Sequence, residues 1–278
     1  MNALSVRGLS KEYESFRLKN VSFDVAPGQI MGFIGRNGAG KTTTLKCLLN
    51  LIHPDGGEAL FFGRRFSEAE LEIKRRIGFV SGGVDYYNKK KLDAITSVTR
   101  RFYPDRDDAA CKRYMSMFAL DGRKTPDQLS AGMRVKYALT LALSHRAELL
   151  ILDEPTSGLD PVSRDDLLDV FLSLQREGVS ILFSTHITSD LDKCADAITY
   201  IKNGEIVASE DLRAFVGKYR ALHLSEAELT DELRPCLIGL KPAKTGYTAL
   251  IHAGDAQRLG VPGEQADLET AMIHMEKE

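Results

Sequence analysis

Gly35-Arg36-Asn37-Gly38-Ala39-Gly40-Lys41-Thr42 decides the fold of this chain. The octet has the form G-x-x-x-x-G-K-[ST]. It follows an apolar run of strand length, Ile30-Met31-Gly32-Phe33-Ile34, and precedes Leu45, Leu48, Leu49 and Ile52 at helical spacing. Strand, glycine-rich loop and helix in that order make a phosphate cradle. The glycines let backbone N–H groups curl toward phosphate oxygens, and the helix N-terminus adds partial positive charge. In such a loop the ammonium of Lys41 reaches the β- and γ-phosphates of a nucleotide and the hydroxyl of Thr42 ligates Mg2+. Thr43, the next residue of the same turn, belongs to the nucleotide-binding set.

A phosphate cradle needs an acidic partner at the end of a neighbouring strand. Leu149-Leu150-Ile151-Leu152-Asp153-Glu154 supplies one. Asp153 would hold Mg2+, and Glu154 would polarise the attacking water. The run before them is continuously apolar, as expected of a parallel strand covered on both faces. Strands are also predicted at Ile77–Val80 and Ile181–Phe183. Helical spacing fits Lys41–Ile52, roughly Asp93–Phe118, Met133–Leu143, Ser163–Gln175 and Ser189–Cys194. The alternation predicts an α/β fold with a largely parallel sheet. Between Gly82 and Asp127 no strand pattern occurs, so 82–127 reads as an inserted helical subdomain. From about 219 to 278 short strands and helices around Pro235, Pro242 and Pro262 predict a small extension. Its last helix carries Leu268, Ala271, Met272 and Met275 on one face.

At 278 residues the chain exceeds a domain of about 100–200. Its formal net charge of −2, with both signs interspersed, argues against a sequence-independent grip on nucleic acid. No apolar run approaches the length of a membrane span. Cys47, Cys111, Cys194 and Cys236 are widely spaced without a C-x-x-C pair, so neither metal nor disulfide use is expected, and a reducing cytoplasm fits. The first residues lack the basic-then-apolar layout of a signal peptide. Any work at a membrane would therefore need a partner to supply the membrane part.

Leu129-Ser130-Ala131-Gly132-Met133 opens a helix with Val135, Ala138, Leu139 and Ala142 on one face. Ser130 suits the N-cap, whereas Gly132 weakens the first turn by about 1 kcal/mol relative to alanine. The segment stands one helix upstream of LLILDEPTSGLDP (149–161), and FSTH (183–186) follows on the next strand. From about Leu4 to Lys218 this ordered set resembles the ATP-binding subunits of ABC transporters. The stretch AGKTTTLKCLLNLIHPDGGEALFFG (39–63) and, more loosely, the tail Ala266-Asp267-Leu268-Glu269-Thr270-Ala271 resemble the bacterial drug- and peptide-export branch.

The resemblance implies a P-loop core of ABC ATPase type, with an ATP-binding domain over 1–218 that includes the helical subdomain, and ATP with Mg2+ as cofactors. It implies a second ATP-binding subunit, the same or different, so that Ser130 and Gly132 of one chain close over ATP held by the other. Gly132 would then be needed for close backbone approach. Ala131 and Met133 replace the glycine and glutamine more common in the family. Asp160, in Ser157-Gly158-Leu159-Asp160, would lie near the partner's phosphate loop. His186 would contact the γ-phosphate and the water, while the other histidines carry no motif. Tyr13 fits the aromatic that stacks on adenine, with Phe16 as its rival. A separate membrane permease, docked by the helical subdomain, would hold the chain on the cytoplasmic face of the membrane. A soluble ATPase of the same type acting on a non-transport target is the alternative. A kinase would leave the Ser130 segment, the Asp160 loop and His186 unexplained.

One family residue is missing. After Ile77-Gly78-Phe79-Val80 the family usually places a glutamine that touches Mg2+ and the water, and here the aligned residue is Gly82. That substitution predicts slow basal chemistry and a loose link to the helical subdomain. Asp85 could reach in, but would bring negative charge toward the triphosphate.

Overall fold

Four short parallel strands carry the functional segments. Ile30–Ile34, Ser180–Thr185, Leu149–Asp153 and Ile77–Ser81 run side by side. In the first three every residue is buried. Fully burying a Leu, Ile or Phe side chain is worth roughly 1.5–3 kcal/mol, so these runs anchor the centre of the domain. Because the strands are parallel, their C-terminal ends share one edge. Ile34 is paired with Thr185, Ser184 with Asp153, and Asp153 with Ser81. Ligands of α/β sheets bind at that edge, just beyond the strand ends.

The computed structural model describes residues 1–81, 87–103 and 106–277. They divide into two units, Met1–Ala195 with Thr199–Val207, and Asp196–Ile198 with Ala208–Glu278. The six-stranded sheet is ordered Glu205–Asp211, Ala197–Lys202, Ile30–Ile34, Ser180–Thr185, Leu149–Asp153, Ile77–Ser81. A second sheet of Arg17–Val25, Leu4–Glu12, Gly56–Phe61 and Arg64–Arg65 is antiparallel. The helix after the glycine-rich loop spans Lys41–Leu48, shorter than the expected 41–52, because Asn50 turns left-handed at φ 55°. Asparagine is among the few residues that visit that region routinely.

Within 82–127 the described helices are Leu92–Arg100 and Asp108–Met117, where one long helix was expected. The carboxylate of Asp107 accepts a hydrogen bond from the Ala110 amide at 2.9 Å and starts the second helix afresh. The glycines at 82 and 83 and Asp85 lie outside the described residues.

The second unit has an antiparallel sheet ordered Leu237–Pro242, Tyr247–His252, Tyr219–Leu224, Glu264–Gln265. The extension expected from 219 makes up most of this unit, which also takes in 196–198 and 208–218. Leu222, Leu224, Leu229, Leu233, Ile251 and Ala256 form one buried cluster. The helix Leu268–Met275 buries Leu268, Ala271, Met272 and Met275 as expected, and His274 besides.

His274 gives this unit an acid limit. It is 3% exposed, and its Nδ1 donates to the Gly239 carbonyl at 2.7 Å. Burial pushes its pKa below the usual histidine value; the Gly239 carbonyl opposes this, while Lys241 and His223 add to it. Between the lowered folded value and 6.5 the unfolded chain binds more protons, so stability rises with pH and is lost as pH falls through that window. His145, lowered by burial, acts in the same direction in the first unit. Thermal unfolding followed from pH 7.5 to 5 is expected to show a falling midpoint for the second unit. His274→Gln should flatten that fall, and an unchanged slope in the variant would remove His274 as its source.

Candidate active site

The phosphate loop leaves the strand Ile30–Ile34 with Gly38 at φ 85° and Gly40 at φ 115°. Both are left-handed angles that suit glycine. A Cβ at Gly40 would also stand 2.8 Å from the ring of Phe16, so the loop packs against the hairpin turn that carries Phe16 and Tyr13. Arg36, Asn37 and Gly38 are exposed at the mouth, whereas Gly35, Ala39 and Gly40 are buried. Lys41 and Thr43 begin the helix Lys41–Leu48 around Thr42. The first amides of such a helix have no partner within it, which leaves donors aimed at an anion.

Lys41 is 5% exposed, yet its charge is satisfied within the site. Its Nζ donates to the carbonyls of Gly35 at 2.7 Å and Arg36 at 3.3 Å, and lies 3.3 Å from Oε1 of Glu154. The other Glu154 oxygen, Oε2, meets Nδ1 of His186 at 2.9 Å. The Thr42 hydroxyl donates to Oδ1 of Asp153 at 3.1 Å. The Ser184 hydroxyl donates to the same oxygen at 2.7 Å and accepts from the Glu154 amide at 2.9 Å. Glu154 itself is left-handed at φ 49°, a conformation of order 1–3 kcal/mol above the ordinary one that the surroundings must enforce.

Three parallel strand ends thus gather Lys41, Thr42, Asp153, Glu154 and His186, as expected from the sequence. Ser184 was missed. Its signal lay in FSTH, as the small hydroxyl residue paired with Asp153 across the sheet. Thr42 and Asp153 offer two hard oxygen donors close together. That set fits Mg2+, which binds through one or two protein oxygens plus phosphates and waters.

Ser130, Gly132 and Asp160 form a different group along two helices. The Ser130 hydroxyl is exposed and accepts from the Met133 amide at 3.2 Å, capping Ala131–Leu143. Asp160 caps Pro161–Arg176, accepting from the amides of Val162 at 3.1 Å and Ser163 at 3.0 Å. Bonding to Ser163 holds its carboxyl below the usual range. A Cβ at Gly132 would meet nothing nearer than the Ser163 Cβ at 3.5 Å, an ordinary contact. The chain's own packing therefore does not demand glycine there. Tyr13 is 41% exposed, with Lys11 Nζ 5.8 Å from its ring centroid, and Phe16 packs on the loop instead.

Behind Glu154 a second link joins the same two loops. The Thr156 hydroxyl donates to Oδ2 of Asp190 at 2.6 Å, and both side chains are fully buried. Burial pushes the Asp190 carboxyl up, against the pull of Thr156 and Arg164. No motif marked this pair.

Comparisons with known proteins show the family. The family described as "ABC transporter" matches residues 18–157. "ABC transporter ATP-binding protein YtrB" of Bacillus subtilis is 28% identical over 259 residues, 92% of this chain and 88% of that protein. "Bacitracin transport ATP-binding protein BcrA" of Bacillus licheniformis is 32% identical over 225 residues, 78% of this chain and 74% of that protein. A solved "Structure of ATP binding subunit of ABC transporter" superposes with a TM-score of 0.69 at 28% identity, over 76% of this chain and 91% of that one.

Proposed function

Since the chain belongs to the ABC transporter family, we propose how its residues divide the work of an ATP-driven exporter. The chain is the ATP-binding subunit of such a transporter. It hydrolyses ATP with Mg2+ and powers transport by a membrane permease. Among the described residues no helix is long and apolar enough to cross a membrane.

The carrying observation is the cluster at the strand ends, where Lys41 and His186 flank Glu154 and Thr42 adjoins Asp153. Residues 35–43 cradle the triphosphate, and Lys41 turns from Glu154 to the β- and γ-phosphates. Thr42 and Asp153 would hold Mg2+, which would supply positive charge to neutralise the phosphates. Glu154 takes a proton from water as its oxygen bonds to the γ-phosphorus. The bond from that phosphorus to the bridging oxygen breaks, and ADP leaves. His186 fixes the orientation of Glu154 and contacts the γ-phosphate. Tyr13, open to solvent beside the loop, stacks on adenine.

A second ATP-binding subunit completes the site. The room beside Gly132 within its own chain supports this reading, because a glycine that internal packing does not require suits an outside group approaching the backbone. Ser130 and Gly132 of one chain then face ATP held by the other, and Asp160 faces the partner's loop. The 1–218 segment acts as the ATP-binding domain, with 82–127 docking the permease and 219–278 as an extension. That BcrA is named a bacitracin transport protein supports a drug- or peptide-like cargo.

Tagged chain purified from solubilised membranes is expected to bring a polytopic membrane protein with it, and its ATPase should rise in that complex. Recovery in the soluble fraction alone, at full turnover without a partner, would favour a non-transport target.

A further inference from the structure

We propose that the Thr156–Asp190 hydrogen bond is the strut that sets the spacing of Glu154 and His186, making both of its members positioning residues for ATP hydrolysis. The inference rests on the roles given above to Glu154 and His186.

Two segments carry the reacting pair. Glu154 and Thr156 stand on the loop after Leu149–Asp153, and His186 and Asp190 on the turn and helix after Ser180–Thr185. Two hydrogen bonds cross between these segments, Glu154 to His186 at 2.9 Å and Thr156 to Asp190 at 2.6 Å. The first is at the reaction edge, and His186 is 42% exposed there. The second is wholly enclosed. A solvent-accessible carboxylate–imidazole contact is readily displaced by water or phosphate. The buried contact has no such competitor, so it fixes how far apart the two segments stand while the outer one exchanges partners.

Asp190 is an unusual choice for mere packing. A buried carboxylate is disfavoured unless it is paired, and an apolar side chain of similar size commonly fills such a place at least as stably. Its pairing here is also incomplete. Oδ1 lies 3.9 Å from Nε of Arg164, and both atoms are buried without a hydrogen-bond partner. Arg164 stands one turn into the helix capped by Asp160. Closing that short gap would draw the Asp160 helix toward Asp190 and tighten the loop that holds Glu154 in its left-handed conformation. The strut therefore extends toward the Asp160 loop of the same chain, which is assigned above to face the partner subunit.

The test is steady-state ATPase and nucleotide binding of the full chain carrying Thr156→Val, which keeps the shape and removes the donor. Small misplacement of reacting groups costs as much as about 100-fold in rate, and kcat is expected to fall at least about tenfold. KM and ATP affinity should stay within about twofold, because the phosphate cradle is untouched. Thr156→Ser, which restores the hydroxyl, should recover kcat. In a His186→Ala background, Thr156→Val should add little further loss, since it acts through the same pair. Should valine not be accommodated, Thr156→Ala serves in its place. A purely structural bond would lower the melting temperature and leave kcat per folded molecule unchanged. That result, or losses that multiply independently of His186, would overturn the proposal. A wild-type chain without any ATPase even in complex with its membrane partner would instead overturn the functional reading beneath it.

Discussion

Lys41→Ala is expected to remove ATP binding and hydrolysis at ordinary nucleotide concentrations while leaving the fold intact. Lys41 is the first residue of its helix, a position that alanine fills well. Its ammonium is buried against two carbonyls and Glu154. Removing one partner of a buried charged pair costs about 3–5 kcal/mol, or about 10²–10⁴-fold in Kd. The loss here should reach that scale, because the variant also leaves Glu154 facing the phosphates without a neighbouring cation. Lys41→Arg should not rescue binding. Lys41 is 5% exposed and seated on two carbonyls, so a bulkier, planar guanidinium would have to displace its neighbours to place its charge at the same point. Calorimetric ATP binding with Mg2+ would check both variants, with circular dichroism confirming the fold. Full ATP affinity in the alanine variant would remove the phosphate-loop assignment.

The parts of the site that were legible in the sequence are those whose chemistry is local. Glycines with left-handed angles, a lysine and a threonine must occur at fixed spacing in one loop, so 35–42 could be read directly. Asp153, Glu154 and His186 were legible for a related reason. Asp153 and Glu154 directly follow an apolar run and His186 stands three residues beyond another, and parallel strands bring their ends together whatever the intervening chain does. Ser184 and the Thr156–Asp190 pair were not legible, because hydroxyls and a single aspartate mean nothing until strand register and burial are known.

The same division runs through the fold. Leu149–Asp153 shows itself by composition, whereas Leu4–Glu12 hides its alternation. Leu4 and Val6 keep period two, but the register shifts before Leu9, so the next buried residue falls out of step. The break between Leu92–Arg100 and Asp108–Met117 had two cues in the sequence, Pro104, which an interior helix position does not tolerate, and Asp107, a natural N-cap.

Glu154→Gln is expected to separate binding from chemistry. The substitution keeps size and hydrogen-bonding capacity but removes the group that accepts the proton from water, so turnover should fall by about 10²–10⁴-fold. ATP affinity should hold or improve. Glu154 Oε1 stands 3.3 Å from the Lys41 ammonium and competes with phosphate for it. A neutral amide ends that competition and also removes a negative charge opposite the γ-phosphate. ATP then stays bound and unhydrolysed, and if two chains close over it, the closed pair has no route to reopen through hydrolysis. Size exclusion with ATP and Mg2+ should therefore show a dimer for Glu154→Gln and mostly monomer for the unmodified chain. Combining it with Lys41→Ala should return the monomer, because without the ammonium there is no bound triphosphate to bridge the chains. A Glu154→Gln chain that stays monomeric with ATP and hydrolyses it normally would count against both the proton acceptor and the two-chain site.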